Sequence, residues 1–303
     1  MKRACFVVLS LLLLARAVHG QSNDADADRG RWHGTLSIVN VFDGNINHEI
    51  DPVRSYGIVP AGEIVFESSS EPAFVWGYEI AANRFTGTDE WDRISHSMYS
   101  EWSHRIGSRL RLDTEGVASW KGSSDDRELA NEFGVSQRLA FKVLQSTRLV
   151  VTGSYHYKQY PDDPGTSGPS PYVAAKLDHR FSENRRLTIG YKFQRRLSVS
   201  ERDRYRRWAY SAAYSMPLFA SADRLSFEAE YRPQRYERLI KVPEGRREWR
   251  FDRRFIAGAI YERPINKATI ARWTAGIETR DSNDPDKRFF APSFGVTISY
   301  RVR

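Results

Sequence analysis

Charged side chains spaced two residues apart are the groups in this sequence with the clearest capacity for chemistry. Within residues 106–120, Arg109, Arg111, Asp113 and Glu115 fall on one side of a two-residue period, and the other side carries no charge. Rings of Arg and Lys around a pore filter solutes by charge. Charges of both signs on adjacent strands can also pair and simply hold a polar wall in register. The sequence leaves both interpretations open.

The same spacing recurs along the chain and predicts one polar wall built from several strands. Our candidates for the residues that line it are Arg109, Arg111, Asp113, Glu115, Arg138, Lys142, Lys192, Arg196, Glu228, Glu230, Arg254 and Arg272. Eight of these are cations and four are carboxylates, so an open lumen of this composition would favour anions.

Residues that could act as nucleophile, base or metal ligand give little support for an enzyme. Ser103 and His104 are adjacent, so in a strand they face opposite sides. Ser154 and His156 share a face, and Asp178 follows on the inward side of the next strand, which leaves a hydrolase as an alternative. The seven His residues show no recurring metal-ligand spacing. We name no catalytic residue, metal site or cofactor, and expect no enzymatic activity.

The strands that position these charges are longer than those of most soluble sheets. Soluble strands have about five or six residues, whereas a strand that crosses a bilayer at a tilt needs about nine to eleven. Residues 106–120 alternate over fifteen positions. The sequence therefore predicts an all-β fold, a transmembrane antiparallel β-barrel. A soluble two-sheet sandwich or large soluble barrel with the same alternation is the alternative.

The alternating segments and the turns between them predict about fourteen strands. These strands span about 34–42, 58–69, 73–85, 92–103, 106–120, 128–143, 147–160, 172–181, 186–199, 205–216, 224–238, 248–261, 268–280 and 289–300. Longer connections start at Asp43, Lys121, Pro161, Lys241 and Asp281, and tight turns lie at Ser70, Arg105, Gln145, Glu183 and Pro264. Long connections at one end and short turns at the other are typical of outer-membrane barrels. One miscounted hairpin would leave this asymmetry intact, so twelve strands stay an alternative.

The start of the chain predicts export from the cytoplasm. A basic start, an apolar run over residues 4–14 and small residues up to position 20 are typical of a secretory signal peptide. The run is shorter than the roughly 20 residues of a membrane-spanning helix. We therefore expect a signal peptide (1–20), a periplasmic N-terminal tail (21–33) and an outer-membrane β-barrel (34–303). The expected location is the outer membrane of a Gram-negative bacterium.

Composition narrows the expected partners. The formal net charge of +8 falls to +5 without the three cations of the signal peptide, and Asp and Glu are interspersed with Arg. No block of like charges suggests a nucleic-acid arm, so we expect no nucleic acid as a partner. The single Cys lies in the signal peptide, which leaves the mature chain without disulfides. Expected partners are outer-membrane lipids, the barrel assembly machinery and, for an export role, other export proteins of the envelope.

Aromatic residues make up 13% of the chain, and Trp and Tyr favour the interface between membrane and water. Those in the phase opposite to the charged face should contact lipid or its interfaces. They are Trp76, Trp120, Tyr191, Trp208, Tyr214, Tyr231 and Trp273.

Two parts of the sequence resemble known outer-membrane barrels. Residues 40–46, Asn-Val-Phe-Asp-Gly-Asn-Ile, together with Val-Pro-Ala-Gly at 59–62, resemble the opening of β-barrel porins that occur in exopolysaccharide operons. Residues 278–283 and 294–300 resemble the last hairpin of the barrel domain in surface lipoprotein assembly modifiers. Both resemblances imply a barrel of about fourteen strands.

These observations predict a porin-like or export conduit for polar, anionic solutes or glycan. A structural barrel, or one that translocates surface proteins or lipoproteins, is the main alternative, and an outer-membrane hydrolase is another. About fourteen strands lie between eight, where side chains fill the interior, and sixteen, where porins hold a water channel. Barrel size alone therefore does not distinguish an open pore from a plugged one.

Overall fold

The chain folds into one closed antiparallel β-barrel of fourteen strands in the computed structural model. The structure describes residues 30–45, 53–69, 72–86, 92–123, 130–161, 163–219, 222–241 and 246–302. The strands are β1 Arg31–Asp43, β2 Ser55–Glu67, β3 Ala73–Phe85, β4 Arg93–Ile106, β5 Leu110–Ser123, β6 Asn131–Lys142, β7 Thr147–Gln159, β8 Tyr172–Ser182, β9 Arg185–Arg196, β10 Tyr205–Pro217, β11 Arg224–Lys241, β12 Arg247–Pro264, β13 Thr269–Ser282 and β14 Phe289–Val302. A two-residue ladder at Gly168–Pro169 beside β7 is not numbered.

The predicted count of fourteen strands is confirmed, and several boundaries agree closely. Strand β3 has the predicted bounds, and β8, β10 and β14 begin at the predicted residues. The predicted signal peptide lies outside the described residues. No helix in the described part of the chain is long and apolar enough to cross a membrane.

The strand expected over residues 106–120 starts later than predicted. Gly107 has φ +65°, a left-handed conformation that glycine adopts without steric cost, and the chain turns there before β5 begins at Leu110. Arg109 therefore lies in the turn instead of the strand. From Leu110 onward the predicted alternation holds.

Strands β1 and β14 pair along most of their lengths and close the barrel. Their register runs from Gly34 opposite Val302 to Asp43 opposite Ser293. All other barrel pairs join strands that are neighbours in the chain.

The two ends of the barrel differ in the length of their connections. At the end where β1 begins and β14 ends, the connections have two to six residues, such as 107–109, 143–146 and 183–184. At the opposite end, the connections 44–54 and 160–171 have eleven and twelve residues. Short turns on the periplasmic side and longer extracellular loops are the usual arrangement, so we assign the end with the short connections to the periplasm.

Side chains alternate between the lumen and the outer face along every strand. The register places all seven predicted aromatic residues on the outer face, opposite in phase to the charged residues. Outer aromatics also pair across strands: the rings of Tyr191 and Tyr210 are 5.4 Å apart, and those of Tyr261 and Trp273 are 5.3 Å apart. An apolar, aromatic exterior is what lipid contact requires.

Gly77 on β3 provides space for the ring of Tyr99 on β4, its direct cross-strand neighbour. The Tyr99 hydroxyl donates to Glu63 Oε1 at 2.9 Å, and a Cβ at position 77 would lie 2.2 Å from Tyr99 Cζ. Gly77→Ala should therefore displace the ring, break this hydrogen bond and lower the free energy of unfolding by about 1–3 kcal/mol. Urea unfolding of the lipid-reconstituted barrel, followed by Trp fluorescence, measures the change.

Gly153→Ala is the matched control for this prediction. A Cβ at position 153 would meet nothing within 4 Å, so the substitution should leave stability unchanged or slightly raised. Equal losses in both variants would show that glycine in these strands matters for a reason other than the ring of Tyr99.

Candidate functional site: a charged lumen

The lumen contains a cavity of about 920 Å³, the main cavity, lined by residues of β5 to β12. Seven of the twelve predicted wall residues line it, namely Arg111, Asp113, Glu115, Arg138, Lys192, Glu228 and Glu230. Arg109 and Lys142 line a smaller cavity of about 280 Å³ at the periplasmic end.

Three predicted wall residues line neither cavity, and each contacts neighbouring polar groups. Arg196 is buried at the extracellular rim, where its guanidinium donates to the backbone carbonyl of Thr166 at 2.6 Å. Arg254 pairs with Glu278 on β13. Arg272 lies directly opposite Glu262 and pairs with it at 2.5 Å.

On one side of the barrel, carboxylates neutralise the predicted cations. Asp113 on β5 is buried and accepts a hydrogen bond from Arg111 Nε at 2.5 Å. Arg138 on β6 lies 3.8 Å from Asp113 Oδ2 and 3.4 Å from Glu115 Oε2, and Arg111 lies 3.2 Å from Glu101 Oε1. These two cations thus contact three carboxylates between them. This part of the wall therefore fits the interpretation in which charges of both signs pair and hold the wall in register.

The same side of the barrel carries further carboxylates. Glu63 lies directly opposite Glu79 on the next strand, and Glu101 lies directly opposite Glu115. Like charges in this position repel each other. We call Glu63, Glu79, Glu101, Asp113 and Glu115 the acid wall.

A row of arginines lies on β11 to β13, which are separated from β2, the nearest strand of the acid wall, by β14 and β1. Arg232 on β11 lies directly opposite Arg254 on β12, which lies directly opposite Arg280 on β13. We call these three the inner arginine row. Arg232 pairs with Glu230, and Arg254 with Glu278. Both carboxylates lie two residues toward the periplasmic end from an arginine of the row.

Arg280 is the least compensated member of the inner arginine row. Among the described residues, its ion-pair partner is Asp252, whose Oδ2 is 4.0 Å away, and its guanidinium stacks 4.6 Å from the ring centre of Phe289. The Nε atoms of Arg254 and Arg280 are buried, and no hydrogen-bond partner for them occurs in the described part of the chain. Donors left free in a buried site favour an anionic acceptor.

The smaller cavity at the periplasmic end has the most one-sided charge. Its cations are Arg105, Arg109, Arg111, Lys142, Arg148, Arg180 and Arg186. Among the described residues that line it, Asp178 is the one carboxylate, and it accepts from Arg186 and Thr188 at 2.6 Å each. We call this set the basic mouth.

Sequence reasoning found part of the basic mouth. Arg109, Arg111 and Lys142 were among the predicted wall residues, whereas Arg105, Arg148 and Arg186 were not. Arg148 and Arg186 each follow directly after the first residue of a strand that leaves a tight turn. That recurring position is the signal that could have identified them.

The three residues of the hydrolase alternative do not converge. Ser154 Oγ donates to the carbonyl of Val135 at 3.3 Å, and His156 Nδ1 lies 2.6 Å from Glu132 Oε1. Asp178 lies directly opposite Arg148, six residues along β7 from Ser154. At about 3.3 Å per residue, this separation is roughly 20 Å. The arrangement offers no proton relay between them.

The sequence matches no known family profile and no curated protein. Solved structures that share the fold include three outer-membrane proteins. An anion-selective porin from Comamonas acidovorans aligns with a TM-score of 0.52 and 6% identity over 90% of this chain and 99% of the porin. The outer membrane channel DcaP of Acinetobacter baumannii aligns with a TM-score of 0.55 and 9% identity over 90% of this chain and 96% of the channel.

The third is a bacterial polysaccharide outer membrane secretin, with a TM-score of 0.53 and 11% identity over 89% of this chain and 98% of the secretin. At these identities the likeness concerns the fold alone. The resemblance to exopolysaccharide-operon porins and to lipoprotein assembly modifiers therefore stays a prediction. The chain shares the barrel fold of outer-membrane porins and channels.

Proposed function

We propose that this barrel is a passive outer-membrane conduit for polar, anionic solutes or anionic glycan. The observation that carries the proposal is the basic mouth, where seven cations and one carboxylate surround a cavity of about 280 Å³ at the periplasmic end. Charges of one sign inside a low-dielectric wall focus the field and raise the local concentration of counter-ions. A solute that enters from the periplasm therefore meets a site selective for negative charge.

The path beyond the mouth keeps groups that can bind an anion. Lys192 lines the main cavity without a carboxylate within ion-pair distance in the described chain, and it lies 3.9 Å from the ring centre of Tyr172. The inner arginine row contributes buried donors on the same side. The acid wall opposes them, so we expect a preference for anions and not complete exclusion of cations.

Cavity size favours small or extended solutes over folded proteins. A folded domain of about 100 residues has a radius of gyration of about 13 Å. The main cavity of about 920 Å³ is far too small for such a domain. This favours the conduit over a barrel that translocates folded surface proteins, and the proposal assigns the chain no reaction of its own.

Planar-bilayer recording of the purified barrel in a potassium chloride gradient tests the proposal. We expect single-channel conductance. At about 0.1 M salt the reversal potential should lie toward the equilibrium potential of chloride and away from that of potassium. The preference should weaken at about 1 M, because the Debye length falls from about 10 Å to about 3 Å. Cation preference at low salt would contradict the proposal. A folded barrel without conductance would instead favour a structural role.

A further inference from the structure

A second row of arginines lies on the outer face of the barrel. Arg195 on β9 lies directly opposite Arg206 on β10, and Arg206 lies directly opposite Arg235 on β11. We call these three the outer arginine row. They belong to the extracellular halves of their strands, close to the connection over residues 197–204.

The alternation of the strands places the outer arginine row outside the lumen. Gln194, which precedes Arg195, and Arg207, which follows Arg206, both line the main cavity. Because adjacent strand residues face opposite sides, Arg195 and Arg206 face outward. On β11, Gln234 accepts a hydrogen bond from Arg207 at 2.7 Å, which sets Arg235 on the outer face. All three arginines of the row are exposed.

The outer arginine row lacks enough acid within the described chain to balance it. Arg195 lies 3.5 Å from Glu237. Neither Arg206 nor Arg235 has a carboxylate within ion-pair distance among the described residues, and Arg235 only approaches the ring of Trp249, at 6.0 Å. Like charges directly opposite each other destabilise a strand pair. An anion from outside the chain would remove this repulsion.

The height of the row matches the headgroup layer of a membrane. Phe193 and Trp208 are outer-face aromatics whose ring centres are 5.7 Å apart, and the arginines of β9 and β10 lie two residues beyond them. Two strand residues correspond to about 7 Å. Aromatic girdles mark the boundary of the hydrocarbon, so the guanidinium groups lie where lipid headgroups begin.

We propose that the outer arginine row binds phosphate groups of lipids in the outer leaflet. The guanidinium fork matches phosphate oxygens with two parallel hydrogen bonds. A lipid fits better than free phosphate because its acyl chains would cover the aromatic surface of Tyr191 and Tyr210 directly below. The site is independent of whether the lumen conducts.

Native mass spectrometry of the intact barrel in a neutral detergent tests this site, with diphosphoryl lipid A as the probe. We expect the wild-type chain to retain the lipid, and Arg206→Ala with Arg235→Ala to weaken retention by about thirtyfold. The charge-conserving pair Arg206→Lys and Arg235→Lys should keep most of the binding. Arg263→Ala, an outer-face change near the periplasmic end of β12, is the matched control and should bind like wild type.

Three results would overturn the proposal. They are undiminished retention by the double Ala variant, equal retention of lipid A from which both phosphates have been removed, and displacement of the lipid by millimolar inorganic phosphate. A heat-modifiability gel verifies that each variant is folded. If the double Ala variant fails to fold, the wild-type barrel still tests the proposal, because its retention of phosphorylated lipid A is compared with its retention of dephosphorylated lipid A.

Discussion

Charge reversal in the basic mouth, by Arg109→Glu, Lys142→Glu and Arg180→Glu together, is expected to abolish the anion preference of the pore. Seven cations and one carboxylate line this cavity, and three reversals bring its formal charge from +6 to zero. None of the three residues forms an ion pair with a carboxylate in the described chain, so the barrel should still fold. The reversal potential should move close to zero at about 0.1 M salt, where screening is weakest.

A control variant with the same net charge tests whether the selectivity originates in the basic mouth or in the overall charge of the protein. Arg84→Glu, Arg247→Glu and Arg263→Glu remove the same charge from the outer face, at exposed positions away from the outer arginine row. This control should keep the wild-type selectivity. If both triple variants shift the reversal potential equally, the selectivity does not originate in the basic mouth.

The largest effect on stability is expected for Asp252→Ala. Asp252 on β12 is fully buried and accepts hydrogen bonds from Arg250 at 3.0 and 2.6 Å and from Ser282 Oγ at 2.7 Å. Arg250 is also buried and stacks 4.2 Å from the ring centre of Tyr236. Removal of the carboxylate leaves this cation uncompensated, which typically costs about 3–5 kcal/mol. Urea unfolding in lipid vesicles gives the difference.

Asp281→Ala on the neighbouring strand is the control for this prediction. Asp281 lies 3.9 Å from Arg253 and 3.7 Å from Arg288, but its side chain is 65% exposed. Exposed ion pairs contribute about 0–1 kcal/mol. A loss in Asp252→Ala no greater than in Asp281→Ala would show that water or another group replaces the buried carboxylate.

Alternation and strand length were sufficient to predict the architecture. The two-residue period assigns each residue to one of two faces, and turns rich in Gly, Pro and Asn mark where strands end. This is why β3 and the starts of β8, β10 and β14 could be placed closely. The aromatic residues of the outer face followed from the same phase.

Strands β11 and β12 are longer than predicted, at eighteen residues each. The added residues of β11 lie at its extracellular end, where a register shift in the pairing with β12 between Arg235 and Leu239 interrupts the alternation that marks a strand. Those of β12 lie mostly at its periplasmic end, at residues 262–264. Pairing at the extracellular end is supported instead by buried polar contacts, in which Arg250 joins Asp252 and stacks on Tyr236. Such contacts depend on three-dimensional register and leave no periodic signal.

The candidate site could be predicted only in outline, because a face assignment does not say which charges meet. Arg111 and Arg254 have the same inward phase, yet Arg111 shares Asp113 with Arg138, whereas Arg254 is buried against Glu278. The basic mouth combines residues from turns and strand starts that are far apart in the chain. Their proximity depends on the stagger of neighbouring strands, which no single segment specifies.

Pairing of β1 with β14 also constrains how the protein can be assembled. Gly34 is translated well before its partner Val302, which lies 268 residues later in the chain (302 minus 34). Until then, the backbone N–H and C=O groups along one side of β1 have no partner, and each such group exposed to hydrocarbon costs several kcal/mol. Insertion strand by strand during synthesis is therefore unfavourable. The chain must be kept soluble until its final strand is available, and membrane entry then coincides with closure.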